Sequence, residues 1–167
     1  MDFENGIMNG RDGGKFAPSA NMTRAEFVTI LARLAYADTT GLGKSLTFKD
    51  TKASAWYADA VSWASSKGLV GGYEDGTFKP NAPISRQELA AVFVRFLNSQ
   101  KITLSDNPKV DKFTDAKKFA SWSKDAIETM RRIGLFGGDA AGNFNPKNSA
   151  TRAEFATILM RFPKAEE

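Results

Sequence analysis

Few side chains in this sequence can do chemistry, and the most patterned of them is arginine. The 167 residues include no histidine and no cysteine, so the common nucleophile and base pairs, thiolate metal sites and disulfides have no residues to build them. Six of the arginines fall in three related stretches, MTRAEFVTILARL from Met22, ISRQELAAVFVRF from Ile84 and ATRAEFATILMRF from Ala150. In each, a hydroxyl residue (Thr23, Ser85, Thr151) precedes an arginine (Arg24, Arg86, Arg152), and a glutamate follows (Glu26, Glu88, Glu154). The T-x-x-E spacing predicts a capping box, the hydroxyl accepting from the third helical amide and the glutamate reaching back to the cap amide. Arginine is then the first helical residue. It faces the positive end of the helix macrodipole, an unfavourable placement of roughly 0.3–1 kcal/mol at an exposed site.

Two readings explain that placement. Helix-start amides that lack acceptors, with a guanidinium beside them, make a receptor for a carboxylate. Alternatively, Arg24, Arg86 and Arg152 pair with carboxylates of neighbouring repeats. Because the charge opposes the dipole, removing it is expected to leave stability unchanged or slightly raised. The second arginines, Arg33, Arg95 and Arg161, fall near the helix C-termini, where a cation is favourable without any ligand.

The helix starts recur at offsets of 62 and 66 residues, and a second motif keeps the same offsets. It reads GIMNGRDGGKFAP from Gly6, GLVGGYEDGTFKP from Gly68 and GLFGGDAAGNFNP from Gly134. Glycine holds its first, fifth and ninth positions, the fifth being Gly10, Gly72 and Gly138. Fixed loop glycines imply positive φ or close approach to another chain or ligand. A third segment occurs twice, FKDTKASAWYADAVSWASSK from Phe48 and FTDAKKFASWSKDAIETMRRI from Phe113, aligning Trp56 with Trp122 and Val61 with Ile127. Such repetition is mapped before any site is assigned.

Each full unit therefore reads helix, glycine loop, helix. Phe27, Ile30, Leu31 and Leu34 follow the spacing of one buried helical face, as do Leu89, Val92, Phe93 and Phe96, and Phe155, Ile158, Leu159 and Phe162. Three equivalent apolar stripes predict an all-α fold with a shared core. Residues 37–47 and 98–111 are polar and read as linkers. The first copy has no counterpart of the tryptophan-bearing segment, so Phe3, Ile7 and Met8 are expected to be less covered than Leu69 and Leu135.

A net charge of +4 favours anionic partners without demanding them, and the scattered lysines argue against nucleic acid. No run is long and apolar enough for membrane insertion, and residues 1–20 carry no signal-peptide pattern. Any export signal is expected to lie outside this sequence. The acidic loop positions do not recur, Asp12 aligning with Glu74 and Ala140 and Gly13 with Asp75 and Ala141, so no metal and no cofactor is expected. No nucleotide-binding or EF-hand pattern appears, and no pair of carboxylates suits a glycosidase.

The ordered combination of TRAE-type helix start, glycine loop and F-x-D...W...A segment resembles the S-layer homology (SLH) family. The resemblance implies an all-α, pseudo-threefold, three-pronged bundle of modules: a partial one at 1–37, full ones at 48–98 and 113–163, together one compact domain. It further implies a non-catalytic anchor at the cell wall or S-layer of an exported protein, binding a secondary cell wall polysaccharide that bears a pyruvate ketal in grooves between modules. The ligand residues it points to are Arg24, Arg86 and Arg152, with the cap residues Thr23, Ser85 and Thr151 and the glycines Gly10, Gly72 and Gly138 around them. Trp56 and Trp122 either stack on a sugar ring or pack on the glycine loop, while Trp63, unmatched in the last copy, packs. Self-assembly through the parent protein, as an interaction module at the cell surface, is the second role in view.

Overall fold

The computed structural model describes residues 6–162. Five α-helices carry the chain: α1 (Arg24–Leu34), α2 (Ala58–Ser66), α3 (Arg86–Ser99), α4 (Lys124–Arg132) and α5 (Arg152–Arg161). Among the described residues there are no strands, only isolated bridges, and the fold is all-α. Capping boxes open α1, α3 and α5 as the spacing predicts, with Thr23, Ser85 and Thr151 accepting from the amides of Glu26, Glu88 and Glu154 while those carboxylates accept the cap amides. The stops are equally local. After α2, Gly68 turns left-handed at φ 68° and the Leu69 amide donates to the Ala64 carbonyl, closing the helix end.

The chain forms two compact units, Met22–Ile84 and the remainder, which comprises the stretch up to Asn21 and that from Ser85 onward. Within Met22–Ile84, α1 packs on α2, and Met22, Phe27, Leu31, Val61, Ala64, Leu69 and Phe78 are fully or nearly fully buried. The segment between these helices is more than a polar linker. A 3-10 turn at Leu42–Ser45 buries Gly43, whose amide donates to the Asp59 carboxylate at 2.7 Å. A Cβ on Gly43 would come within 2.7 Å of that of Ala58.

In the other unit α3 packs on α4. Phe93 meets Phe155 edge to face at 6.1 Å and Phe162 at 6.0 Å, contacts that add about 0.5–1.5 kcal/mol each to burial alone. Ile7 and Met8 are 8% and 5% exposed, against 1% and 2% for Leu69 and Leu135 and 7% and 4% for their neighbours Val70 and Phe136. Both are therefore slightly less covered than Leu69 and Leu135, as expected, yet they stay buried because loop 6–18 is drawn onto the start of α5; Phe3 lies outside the described residues.

All three glycine loops make the same tight turn. The amides of Arg11, Tyr73 and Asp139 donate to the carbonyls of Lys15, Thr77 and Asn143 at 2.9, 2.8 and 2.9 Å. A Cβ on Gly72 would meet the Phe48 ring at 2.5 Å, and one on Gly138 would meet the Asn143 carbonyl at 2.6 Å and the Phe113 ring at 3.0 Å. The close approach these glycines permit is thus to the chain's own F-x-D phenylalanines. The aspartate of the same motif fixes the far side of the loop. Asp50 accepts from the amides of Phe78 and Lys79 at 2.8 and 2.7 Å, and Asp115 from those of Phe144 and Asn145 at 2.8 Å each. Lys79 and Asn145 stand at positive φ, 57° and 56°, so the carboxylates hold the loops in a strained turn.

Asp115 is 6% exposed whereas Asp50 is exposed, so the two clamps differ in weight. Hydrogen bonds to a charged acceptor contribute about 1.5–3 kcal/mol, most where the donors are buried. Asp115→Ala is expected to destabilise the protein by about 2–4 kcal/mol in urea unfolding and Asp50→Ala by less. Equal losses in the two variants would contradict this account of the loops.

Candidate functional site

Arg24, Arg86 and Arg152 occupy three equivalent junctions between a helix start and a glycine loop. Their exposures are 7%, 7% and 3%, so none is a surface fork. Each reaches into the loop of the following copy, the third returning to the first. The Nε groups donate to the carbonyls of Phe78, Phe144 and Phe16 at 2.8, 2.7 and 2.8 Å. Nη2 of Arg86 donates to the Gly137 carbonyl at 2.7 Å, and Nη2 of Arg152 to the equivalent Asn9 carbonyl at 2.6 Å. Aromatic rings cover the planes: Tyr73 and Phe78 lie 4.8 and 4.9 Å from the Arg24 Cζ, Phe136 and Phe144 4.3 and 4.7 Å from that of Arg86, and Phe16 5.1 Å from that of Arg152. Arg86 also donates through Nη1 to the Glu154 carboxylate, the capping glutamate of the next helix start.

The helix-start amides are occupied too. Arg24 and Ala25 donate to the Ala82 and Pro80 carbonyls at 2.9 Å each, Arg86 and Gln87 to Asn148 and Pro146 at 2.8 and 2.9 Å, and Arg152 and Ala153 to Ala20 and Pro18 at 2.9 and 3.0 Å. With the third amide taken by the cap hydroxyl, the expectation of open amides awaiting an anion is corrected. The orphan donors of a helix start must be met, and here the next loop meets them. Isolated bridges at Thr23–Pro83, Ser85–Ser149 and Asn21–Thr151 repeat the same pairing.

Burial draws the Arg86 pKa below the usual arginine value, and the Glu154 carboxylate beside it opposes that shift. The dipole mismatch read from the sequence is offset by loop carbonyls that accept from both the helix amides and the guanidinium. Unchanged stability on removing the arginine no longer follows.

Trp56 and Trp122 are largely in water. They are 65% and 54% exposed at equivalent positions just before α2 and α4, with Trp56 edge-on to Tyr57 at 5.5 Å. Trp63 is 4% exposed and belongs to the core. Thr23, Ser85 and Thr151 cap their helices, Gly72 and Gly138 face the F-x-D phenylalanines as described above, and a Cβ on Gly10 would meet the Gly14 carbonyl at 3.0 Å. The residues that sequence reasoning missed are Asp50 and Asp115, although F-x-D stands at nearly the same distance ahead of the loop phenylalanine in both copies. Among the described residues, no three potential metal-ligating side chains stand together, and no helix is long and apolar enough to cross a membrane.

A family model of the S-layer homology domain matches residues 3–28, 47–90 and 112–156, and the chain belongs to that family. Among its relatives is a cellulosome-anchoring protein of Acetivibrio thermocellus, 38% identical over 93% of this chain and 35% of its own length. An S-layer protein of Bacillus licheniformis is 32% identical over 85% of this chain and 15% of its length. An amylopullulanase of Thermoanaerobacterium thermosulfurigenes is 32% identical over 92% of this chain and 8% of its length. The chain thus spans about a third or less of each of these relatives.

Breaking a buried ion pair typically costs about 3–5 kcal/mol, because the remaining charge loses its partner. Glu154 keeps 35% of its side chain in water, so the lower end applies. Arg86→Ala is expected to destabilise by about 3 kcal/mol, and Arg86→Lys to recover only part of that, since lysine cannot span Nε and Nη2 acceptors together. A melting temperature unchanged in Arg86→Ala would remove the guanidinium from the junction.

Proposed function

We propose that this chain is a non-catalytic anchoring module at the bacterial cell surface, binding an anionic secondary cell wall polysaccharide that bears a pyruvate ketal. The observation that carries the reading is the pair Trp56 and Trp122, held in water at equivalent positions. An indole exposed in both copies adds little to the core, and it suits the apolar face of a sugar ring with its N–H left for a hydroxyl. Arg24, Arg86 and Arg152 supply the positive field for the ketal carboxylate, acting from buried positions where a charge is poorly screened. Thr23, Ser85 and Thr151 fix the helix starts, while Gly10, Gly72 and Gly138 let the loops lie close enough to shape each groove.

The units of this reading are modules at 1–37, 48–98 and 113–163, in a pseudo-threefold arrangement. It is supported by the pairing rule, in which every helix start takes the loop of the following copy. The shared segment amounts to 8% of the amylopullulanase, the size of an attached module rather than of a whole enzyme. Names such as cellulosome-anchoring protein and S-layer protein among the relatives agree with an anchor outside the cell.

Titration calorimetry with cell wall saccharides, with and without the pyruvate group, tests this directly. Removing the group is expected to abolish most of the heat, and EDTA to leave it unchanged. Trp56→Ala is expected to weaken binding about tenfold, or about 1.4 kcal/mol, at an unaltered melting temperature. Equal affinity for the depyruvylated saccharide would overturn the anionic part of the reading, and undiminished binding in Trp122→Ala and Trp56→Ala the stacking part.

A further inference from the structure

The three junctions share their arginine but differ at two positions of the loop beside it. Position six of the glycine loop is Tyr73 at α1, Asp139 at α3 and Arg11 at α5, and position twelve is Lys79, Asn145 and Ala17. At the α1 junction the Tyr73 ring lies 4.8 Å from the Arg24 Cζ and 4.1 Å from the Lys79 Nζ, so two cations share one aromatic surface. At the α3 junction the same loop position carries a carboxylate. Asp139 accepts from the amides of Ala141 and Asn143 at 3.0 and 2.9 Å and from the Asn145 side chain at 2.9 Å. Those hydrogen bonds, the Asn145 side chain foremost, hold its pKa below the ordinary aspartate value, so the charge persists into mild acid.

We propose that loop positions six and twelve decide which junction accepts a carboxylate-bearing sugar: Tyr73 with Lys79 admits it beside Arg24, and Asp139 with Asn145 refuses it beside Arg86. This rests on the anionic-saccharide reading above and names the residues that set its selectivity. The acidic pair Glu74 and Asp75 does not reverse the contrast. Asp75 is folded back onto the amide and hydroxyl of Thr77 at 3.0 and 2.6 Å, and Lys49 and Lys79 act on it electrostatically. Both residues sit at the tip of the turn, whereas at position six Tyr73 lies over the Arg24 guanidinium and Asp139 acts electrostatically on Arg86. Asp139 is exposed, and its fixed like charge repels a carboxylate that arrives within a Debye length of it. The role of Asn145 is to lock that charge in place, while Lys79, at the equivalent backbone position and φ, adds a charge of the opposite sign.

Amide shifts separate the loops, since Gly76 and Lys79 report on one and Gly142 and Asn145 on the other. A pyruvate-ketal-bearing hexose, titrated into the nitrogen-15-labelled protein, is expected to move the first pair at least tenfold more tightly than the second. In Lys79→Asn, which substitutes the residue that the other loop tolerates at this φ, affinity at the first loop is expected to fall about tenfold. In Asp139→Asn, which keeps the acceptor for the turn amides, the second loop is expected to respond with an affinity raised about tenfold. The dispersed spectrum of each variant shows that it is folded. Equal affinities at the two loops, or preference for the second, would overturn the proposal and leave the saccharide reading standing. Silence of both loops toward the pyruvylated sugar would overturn the two together.

Discussion

The structure turns on a charged group that would destabilise it almost anywhere else. An arginine at the first helical position meets the positive end of the macrodipole, and burying it adds a desolvation penalty. Both are offset at once because the partner is a loop rich in outward-turned carbonyls. The Phe78, Phe144 and Phe16 carbonyls take the Nε protons, and carbonyls a few residues further on take the first two helix amides. One strand of backbone thus satisfies both a helix start and a guanidinium. For the same reason the capping box is not a local ornament. Glu154 caps α5 and neutralises Arg86, so the start of one helix is electrically tied to the start of another.

That arrangement transfers the specification problem to the loops. A loop can present carbonyls in a fixed order only if its own turns are held. The glycine at position five admits the phenylalanine ring and the facing carbonyl, and the F-x-D carboxylate pulls down two successive amides beyond the turn. Phe113, Phe119, Phe136 and Phe144 then stack around the same point, at centroid distances between 4.9 and 6.3 Å. Aromatic packing, glycine and aspartate act on one short segment, and the arginine reads the result. Loss of any of them is felt at the helix start rather than only where it occurs.

Much of this was legible in the sequence, and the boundary of what was not has a physical cause. The capping boxes, the apolar stripes of α1, α3 and α5 and the left-handed glycine after α2 depend on neighbours within about one helical turn, and they are found where their spacing puts them. The partner of each arginine lies 54, 58 or 136 residues away. Local pattern does not say which carbonyls meet the guanidinium, but pairing with a carboxylate of a neighbouring repeat was one of the two readings, and Arg86 makes that pair with Glu154. Asp50 and Asp115 illustrate a nearer miss. Their recurrence was visible, yet an acidic residue without a visible partner reads as solvated surface until its two amides are seen. The segment around Leu42–Ser45 was passed over for the same reason, since a polar, glycine-containing stretch gives no sign that Gly43 will lie against Ala58.

The separation between what holds the fold and what, on the proposed reading, meets a ligand follows from these constraints. A guanidinium with Nε, Nη1 and Nη2 all engaged, as in Arg86, has little freedom to reorganise around a guest, but its charge remains at the junction. On the proposed reading, its field acts through protein of low polarisability and reaches a bound carboxylate with less screening than that of a surface lysine would suffer. On the proposed reading, fine recognition falls mostly to side chains that the helix starts do not rest on. Trp56 and Trp122 are in water, Lys79 projects from a loop whose backbone is already fixed by Asp50, and position six changes from aromatic to acid to base without altering the turn. A repeat built this way can diversify its binding surfaces one loop at a time, because the residues free to vary are those on which the helix starts do not depend.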